Sequence, residues 1–301
     1  MRYYLSLEIG GTNLRLGIVD EAFKLCRFDK IPTRALSDAN NKIDYLEALL
    51  MPSLREYGRE NLLCLTVSLA SLMDKEREMC FSSPNIRGFD GIPLKKLLSQ
   101  RLGLPVVLER DVNTSLLYEM RKCGRGNHGI VVGVFLGTGL GNAMAINGNI
   151  YIGSTGSSCE LGHIPVPHLE AMCGCGKAGC IELLASGRTL ATLAQETYHC
   201  PVADIFRLHG DEAAVQDVID MAALATAAEV TILDPAYVIL GGGVADMEGF
   251  PLERFTQTVA KNLRTPNPRA SLMLVRASGD DAAGVIGAAI HASNLRANKN
   301  E

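Results

Sequence analysis

Two segments of this sequence share one pattern, which constrains the fold more than any other feature: an apolar run, a turn rich in glycine and threonine, and a second apolar run. The first comprises Tyr3–Ile9, Gly10-Gly11-Thr12-Asn13 and Leu14–Asp20, and the second comprises Gly129–Leu136, Gly137-Thr138-Gly139-Leu140-Gly141 and Asn142–Asn147. Because the second run follows each turn at once, both segments predict a β-hairpin and not a strand-to-helix crossover. The repetition predicts two related halves.

Apolar residues at helical spacing occupy the stretches between these hairpins. They predict a helix around 43–57 that Pro52 kinks or ends, an alanine-rich helix over 211–233 and a final helix over 281–295. Asp234-Pro235 ends the second of these helices, and Tyr237–Leu240 predicts a short buried strand that leads into Gly241-Gly242-Gly243. The mixture of strands and helices predicts an α/β protein.

The composition excludes several classes of protein. The 301 residues are 47% hydrophobic and 21% charged, which is sufficient for buried cores and is not typical of disorder. A formal net charge of −4 without a run of Lys or Arg argues against a nucleic-acid or membrane surface. Nine cysteines, an odd number, argue against a secreted disulfide framework. Since Glu8 interrupts the first apolar run, no signal peptide is indicated, and we expect a cytoplasmic protein with reduced thiols.

The glycine turns are candidate phosphate sites. Glycine lets the backbone fold closely around an anion, whose oxygens then accept hydrogen bonds from backbone N–H groups. A single turn of this kind is more often only a hairpin, but two of them and the later triplet Gly241–Gly243 favour phosphate binding. The sequence contains neither a Walker loop nor a G-x-G-x-x-G turn. Glu8 is either a ligand of hydrated Mg²⁺ beside the phosphates or an ordinary strand charge.

A second cluster has the composition of a zinc site. His163, Cys173, Cys175 and Cys180 supply four soft ligands within 18 residues, the number that tetrahedral Zn²⁺ takes in structural sites. The alternative is a group of reduced, partly exposed thiols. Because four protein ligands leave no open position, such an ion would hold a loop and would not activate water.

Two acidic residues and an imidazole are candidate ligands for a polyol substrate, and Asp111 is a separate candidate for a ligand site. Glu160 precedes His163 by three positions and Glu182 follows Cys180 by two, so a folded metal loop would orient both carboxylates. An imidazole that binds zinc through one nitrogen can donate a hydrogen bond through the other.

Asp111 follows the apolar run Val106–Arg110, where it either meets a ligand or caps a helix that starts near Asn113.

Taken together, these residues resemble the ROK family of sugar kinases, within the actin-like ATPase superfamily, over nearly the whole chain. The motifs that carry the resemblance are Gly10-Gly11-Thr12, Ser83-Pro84-Asn85, Asp111-Val112-Asn113, Gly137 to Gly141, Gly156 through Glu160-Leu161-Gly162-His163, Cys173-Gly174-Cys175-Gly176 through Cys180 and Glu182, and Val238 to Gly243. The combination of Glu-x-Gly-His with the cysteine motif is the most specific of them.

The resemblance implies a two-domain, ribonuclease H-like fold with a structural zinc loop over 163–180. Domain 1–114, completed by a returning helix over 284–301, would precede domain 115–283. ATP and Mg²⁺ would lie on Glu8, Gly10, Gly11, Thr12, Asn13, Gly137, Thr138, Gly139, Gly241, Gly242 and Gly243. The hexose would be held by Asn85, Arg110, Asp111, Asn113, Glu160, His163 and Glu182. Asp111 would be the catalytic base, the 6-hydroxyl the acceptor, and the assembly a homodimer.

Three positions depart from the family pattern. The family usually has Asp at the position of Glu8 and Asn at the position of Arg110, and Ser68-Leu69-Ala70-Ser71 replaces its Pro-Gly loop. The Arg-Asp-Val-Asn run and the stretch from Val238 to Phe250 resemble members that phosphorylate D-allose, so D-allose is the favoured substrate. Glucose, N-acetylmannosamine and fructose are the alternatives.

Two readings compete with a sugar kinase. Members that regulate transcription carry a helix-turn-helix ahead of the first turn, whereas only nine residues precede Gly10 here. An actin-like ATPase without a sugar acceptor would have no use for Glu160, His163 and Glu182.

Overall fold

The computed structural model describes residues 1–83 and 88–297. The strands are β1 (Tyr3–Ile9), β2 (Asn13–Asp20), β3 (Leu25–Pro32), β4 (Leu62–Leu69), β5 (Leu72–Met73), β6 (Cys80–Ser82), β7 (Val106–Arg110), β8 (Ile130–Leu136), β9 (Leu140–Ile146), β10 (Asn149–Ile150), β11 (Tyr237–Gly241) and β12 (Leu274–Arg276). The helices are α1 (Arg34–Asp38), α2 (Lys42–Tyr57), α3 (Leu94–Leu102), α4 (Asp111–Cys123), α5 (Gly187–Thr192), α6 (Ile205–His209), α7 (Ala213–Leu233), α8 (Leu252–Lys261) and α9 (Ala283–Ala297).

The chain divides into two compact units, each with its own hydrophobic core. Unit 1 comprises residues 1–122, 151–158 and the segment that begins at Asp280, and unit 2 comprises residues 123–150 and 159–279. The domain boundary expected after residue 114 falls inside α4, which runs without interruption, and the units divide after Lys122.

Unit 1 is built on a five-stranded sheet of order β3-β2-β1-β4-β7. β1 and β2 form the predicted antiparallel hairpin, whereas β4 lies parallel to both β1 and β7. Every residue of β4 is buried, as expected for a parallel strand with both faces covered. Because β1 and β7 run in the same direction, Glu8 and Arg110 lie toward the same edge of this sheet.

Of the two outcomes predicted at Pro52, a kink or an end of helix α2, the end does not occur. The helix continues from Lys42 to Tyr57 across this proline, which is exposed on the solvent side. The carbonyl group that loses its helical hydrogen bond to the proline can be solvated there, so the helix does not have to end.

Unit 2 repeats the topology of unit 1 with a five-stranded sheet of order β10-β9-β8-β11-β12. β8 and β9 form an antiparallel hairpin and β11 lies parallel to β8, so the two glycine turns occupy equivalent positions in the two sheets. Leu140 and Gly141, predicted to lie in the turn, are the first residues of β9. The prediction of two related halves is confirmed at the level of strand order.

The alanine-rich helix α7 ends where the sequence predicts. Its C-cap, Asp234, has a φ of 43°, the left-handed conformation that terminates many helices, and Pro235 follows. Among the described residues, no helix has both the length and the apolar character needed to cross a membrane.

Candidate functional site

The first glycine turn joins β1 to β2 in unit 1. The Gly10 amide donates to the Asn13 carbonyl at 3.1 Å, which closes the turn. Thr33 binds two carbonyl oxygens of the turn. The Thr33 hydroxyl donates to the Gly10 carbonyl at 2.6 Å, and the Thr33 amide donates to the Thr12 carbonyl at 2.9 Å. Gly11 and Thr12 are exposed. Because the carbonyl oxygens of Gly10, Thr12 and Asn13 are engaged by the protein, the turn is suited to present its remaining N–H groups to an anion.

The second glycine turn, in unit 2, is held in the same way. The Gly137 amide donates to the Gly139 carbonyl at 3.0 Å, while the amides of Gly187 and Arg188 donate to the carbonyls of Gly137 and Thr138 at 2.9 and 3.0 Å. A β-carbon on Gly187 would lie 2.4 Å from the Gly137 oxygen, so this contact requires glycine. In both turns a neighbouring segment binds the carbonyl edge.

The triplet Gly241–Gly243 lies against the end of β8, just before the second turn. Gly242 has a φ of 95°, and a β-carbon there would lie 2.4 Å from the Leu136 carbonyl oxygen. The same oxygen accepts the Val244 amide at 2.9 Å. The structure therefore brings the triplet and the Gly137–Gly139 turn together within unit 2.

Glu8 belongs to a charged network at the end of β1. Its Oε1 accepts a hydrogen bond from Arg15 at 2.9 Å, and Arg15 also pairs with Asp281, which binds Lys30. Burial raises the pKa of Glu8 to about 7, with Asp111 and Asp281 adding to the rise and Arg15 opposing it. A bound divalent cation would favour the ionised form, so an acidic oxygen here fits Mg²⁺.

Asp111 is the first residue of α4 and lies at the carboxyl end of β7. Its Oδ1 accepts the Val112 amide at 2.9 Å, so it also contributes to the start of the helix. Burial raises the pKa of this half-buried carboxyl group, while Arg110 opposes the rise. A carboxylate with a raised pKa is a stronger base than an exposed one.

Glu109 is the centre of a buried polar network beside Asp111. Its side chain is 2% exposed, and Oε1 accepts hydrogen bonds from Arg77 at 3.0 Å, from Asn113 at 2.9 Å and from the Arg110 amide at 2.8 Å. His291 lies 3.4 Å from Oε2. The side chain of Asn113, expected at the sugar, is therefore bound to Glu109, where it helps to fix the segment that carries Asp111.

Two arginines tie the segment 151–158 to this part of unit 1. Arg77 donates to the Gly156 carbonyl at 2.9 Å, and Arg110 donates to the Ser158 carbonyl at 2.7 Å. The Arg110 guanidinium, expected among the sugar ligands, therefore has a structural contact. A β-carbon on Gly156 would lie 2.8 Å from backbone atoms of Met73, Asp74 and Lys75, so close approach requires glycine here.

The four predicted zinc ligands converge in unit 2. The ligand atoms of His163, Cys173, Cys175 and Cys180 all lie within 4.8 Å of one another. Cys173 Sγ is 3.7 Å from His163 Nδ1, and Cys175 Sγ is 3.6 Å from Cys180 Sγ. Three thiols and one imidazole at this separation fit a tetrahedral zinc ion.

Glu160 immediately precedes the short helical turn Leu161–His163, and Glu182 lies close to Gly162 of that turn. Glu160 Oε2 is 3.6 Å from His163 Nε2, the ring nitrogen opposite to the one that faces Cys173. Glu182 Oε2 accepts the Leu140 amide at 3.0 Å. A β-carbon on Gly139 would lie 2.2 Å from this oxygen. Glu182 thereby links the metal loop to the second glycine turn.

The predicted site residues are distributed over both units. Unit 1 contains Glu8, Gly10 to Asn13, Arg110, Asp111 and Asn113, and unit 2 contains Gly137 to Gly139, Glu160, His163, the three cysteines, Glu182 and Gly241 to Gly243. Asn85 lies outside the described residues.

Comparison with known families identifies the chain. The model of the ROK family matches residues 4–294. This chain belongs to the ROK family. The match includes both glycine turns, Asp111 and the whole cysteine motif of this ROK protein.

Curated and solved relatives of this ROK protein align over most of their length. It is 31% identical over 307 residues to an N-acetyl-D-glucosamine kinase of Escherichia coli O1:K1 / APEC, covering 95% of this chain and 98% of the relative. It is 28% identical over 309 residues to a glucokinase of Streptomyces coelicolor, covering 95% and 96%. The structure of a ROK family glucokinase from Streptomyces griseus in complex with glucose and AMPPNP superimposes with a TM-score of 0.80 at 28% identity, covering 96% and 98%.

Several polar residues around the site were missed by the sequence analysis. Arg77, Glu109 and His291 form the network beside Asp111, and Asn142 and Glu229 form a buried pair in unit 2. A signal for Glu109 was present, since a charged residue inside a buried strand needs partners. The partners are too distant in sequence to be assigned from spacing.

Proposed function

We propose that this ROK protein is an ATP-dependent sugar kinase that phosphorylates the 6-hydroxyl of a hexose, with D-allose as the favoured acceptor. The observation that carries the proposal is Asp111, a half-buried carboxylate at the carboxyl end of β7 whose pKa is raised by burial. The names of the relatives, kinases of glucose and of N-acetyl-D-glucosamine, support the reaction class and keep both sugars as alternatives beside N-acetylmannosamine and fructose.

The glycine turns would bind the phosphates of ATP. The protein binds the carbonyl oxygens of Gly10 and Thr12 in one turn and of Gly137 and Thr138 in the other, which supports this role because the N–H groups not used inside each turn can then meet phosphate oxygens. The contact of Gly241–Gly243 with Leu136 supports a nucleoside site near the second turn. Glu8 would bind Mg²⁺, which neutralises charge on the transferred phosphoryl group.

Asp111 would accept the proton of the attacking hydroxyl group. As the oxygen–phosphorus bond forms, this proton passes to the carboxylate and ADP leaves. The network of Glu109, Arg77 and Asn113 supports the assignment, since it holds the residues on both sides of Asp111 and so restricts its position.

The remaining sugar hydroxyls would be bound by residues of the metal loop. If His163 binds zinc through Nδ1, its Nε2 carries a proton and can donate to a hydroxyl or to Glu160. The carboxylates of Glu160 and Glu182 accept hydrogen bonds from hydroxyl groups. Zinc would supply rigidity to this loop and no chemistry at the phosphate.

The test is a coupled assay of ADP release with MgATP and a panel of hexoses: D-allose, glucose, fructose, N-acetylmannosamine and N-acetyl-D-glucosamine. We expect release to depend on sugar, with the highest kcat/KM for D-allose. A higher kcat/KM for another hexose overturns the choice of acceptor alone. ATP hydrolysis that no sugar accelerates, or no activity at all, overturns the kinase assignment.

A further inference from the structure

A buried polar contact in unit 2 connects three elements around the Leu161–His163 turn. Asn142 lies on β9 and is 1% exposed, and Glu229 lies on α7 and is 8% exposed. The Asn142 side-chain nitrogen donates to Glu229 Oε1 at 2.5 Å, and its Oδ1 accepts the Leu161 amide at 3.3 Å. α7 and the start of the metal loop are thus joined through one amide group.

Glu229 determines which way this amide group points. An asparagine side chain has one donor end and one acceptor end, so a carboxylate oxygen on one side selects the nitrogen for that side. The oxygen of Asn142 is then left to face the Leu161 N–H. Without Glu229, no group on α7 would select the nitrogen of the Asn142 amide over its oxygen.

Burying the Glu229 carboxyl group costs free energy of desolvation, which indicates that the pair has a role beyond packing. Glu229 lies on α7 and is almost completely buried, which raises its pKa to about 7, and its Oε2 has no hydrogen-bond partner among the described residues. An apolar residue at this position would avoid that desolvation.

The segment that receives the hydrogen bond carries two of the proposed sugar ligands. Leu161 begins the short turn that ends at His163, and Glu160 immediately precedes it. The turn packs closely on β9, since a β-carbon on Gly162 would lie 2.6 Å from the Leu140 carbonyl oxygen. A shift of the Leu161 amide would therefore move Glu160 and His163 together.

We propose that Asn142 and Glu229 are a positioning pair that holds the Glu160–His163 segment against β9 and thereby sets the affinity for the acceptor sugar. The inference rests on the proposed function for its sugar, but the holding contact itself does not. The second glycine turn has separate supports in Gly187, Arg188 and Glu182, so ATP binding is not expected to depend on the pair.

The decisive variant replaces both partners, Asn142→Leu with Glu229→Leu, so that neither side chain is left buried without the other and only the Leu161 N–H loses its acceptor, which is the contact under test. In the metal-loaded protein we expect the KM for the hexose to rise about tenfold or more, as for a ligand set that has lost its support. The kcat should stay within about twofold and the KM for ATP should not change. Glu229→Gln, whose carbonyl oxygen can still accept from Asn142, should keep the wild-type KM.

Hydrogen exchange followed by mass spectrometry tests the holding contact without relying on activity. Peptides that contain Leu161 should exchange faster in the double variant and at the wild-type rate in Glu229→Gln. The matched control is Thr226→Val, which removes another buried polar contact on α7, from the Thr226 hydroxyl to the Ala222 carbonyl, and should change neither measurement.

Unchanged exchange at Leu161 in the double variant overturns the proposed contact. Faster exchange with an unchanged KM for the hexose overturns its role in sugar binding, as does an equal rise in the KM for ATP. If the wild-type protein phosphorylates no hexose, the proposed function has failed, and the exchange measurement still decides whether the pair holds the turn.

Discussion

Glu8 and Gly284 occupy neighbouring positions in unit 1 so closely that a β-carbon on Gly284 would lie 2.1 Å from Oε2 of Glu8. Glu8 is the penultimate residue of β1, and Gly284 lies in the first turn of α9. The longer acid that stands where the resemblance leads us to expect aspartate thus has a glycine to accommodate it.

Gly284→Ala tests whether this space matters for Mg²⁺. Alanine favours the helix by about 1 kcal/mol, but its methyl group displaces the Glu8 carboxylate. We expect a roughly 10²-fold loss of activity and a higher requirement for Mg²⁺, measured by titrating the ion in the ADP-release assay. Adding Glu8→Asp to this variant shortens the acid and should restore activity. Full activity in Gly284→Ala alone would contradict the role of Glu8.

Asp111→Asn tests the proposed base. Asparagine keeps the shape of the side chain but cannot accept the hydroxyl proton, so turnover should fall by about 10²- to 10⁴-fold. Binding of the hexose, measured by calorimetry, should change little. Asp211→Asn, at an exposed position on unit 2, is the matched control and should leave both unchanged. Near-normal turnover in Asp111→Asn removes this residue from the role.

Metal analysis should find about one zinc ion per chain, and chelation should lower the melting temperature and weaken hexose binding. Cys173→Ala should reproduce both effects, because it removes one of the four converging ligands. Cys26→Ala, at an exposed cysteine of unit 1, should do neither. Freshly purified protein that contains no zinc would contradict the assignment.

Arg77→Met tests the buried network beside Asp111. The substitution removes the cation that pairs with the 2% exposed carboxylate of Glu109, so we expect a loss of about 3–5 kcal/mol in the free energy of unfolding, measured with urea. The hydrogen bonds from Asn113 and the Arg110 amide remain, which favours the lower end of that range. Combining Arg77→Met with Glu109→Gln should recover part of the loss. Equal free energies of unfolding for the single and double variants would show that the unpaired charge of Glu109 does not cause the loss of stability.

Glu229→Gln should change how stability depends on pH. The pKa of Glu229 is about 7 in the folded protein and near its ordinary value of 4.5 in the unfolded chain, so the folded state binds more protons between these two pH values. The carboxyl group therefore lowers the free energy of unfolding progressively as the pH rises from about 4.5 to 7. Above pH 7 the full reduction is about 3 kcal/mol. Relative to wild type, Glu229→Gln should gain stability progressively across this interval, measured by urea unfolding at several pH values. A constant difference from pH 4 to 8 would contradict the raised pKa.

The local patterns predicted most of the architecture because their signals are short-range. The two hairpins, the end of α7 at Asp234 and the strand β11 follow from periodicity and turn chemistry alone. The convergence of His163 with the cysteines was predictable because four ligands within a short, glycine-rich loop have few other arrangements. The end of α2 that was one of two outcomes predicted at Pro52 does not occur, because the rule for proline does not include the exposure of that face of α2.

The polar networks could not be predicted from the sequence because they depend on tertiary packing. Glu109 on β7 contacts Arg77 and His291, and His291 lies far along the chain on α9. Asn142 on β9 contacts Glu229 on α7, which is also distant in sequence. Arg110 was expected to bind sugar, but its proximity to the Ser158 carbonyl depends on the return of 151–158 to unit 1. The spacing of residues along the chain contains no information on these long-range contacts.

The discontinuous composition of unit 1 has a consequence for its synthesis. Its sheet is complete by β7, but α9, which packs on β1, β2 and β4, is translated after every residue of unit 2. Val285 on that helix fits against Gly17, where a β-carbon would lie 2.4 Å from Cγ1. A nascent chain therefore exposes one apolar side of its first sheet until α9 has been synthesised, and exposed apolar surface of this kind favours aggregation.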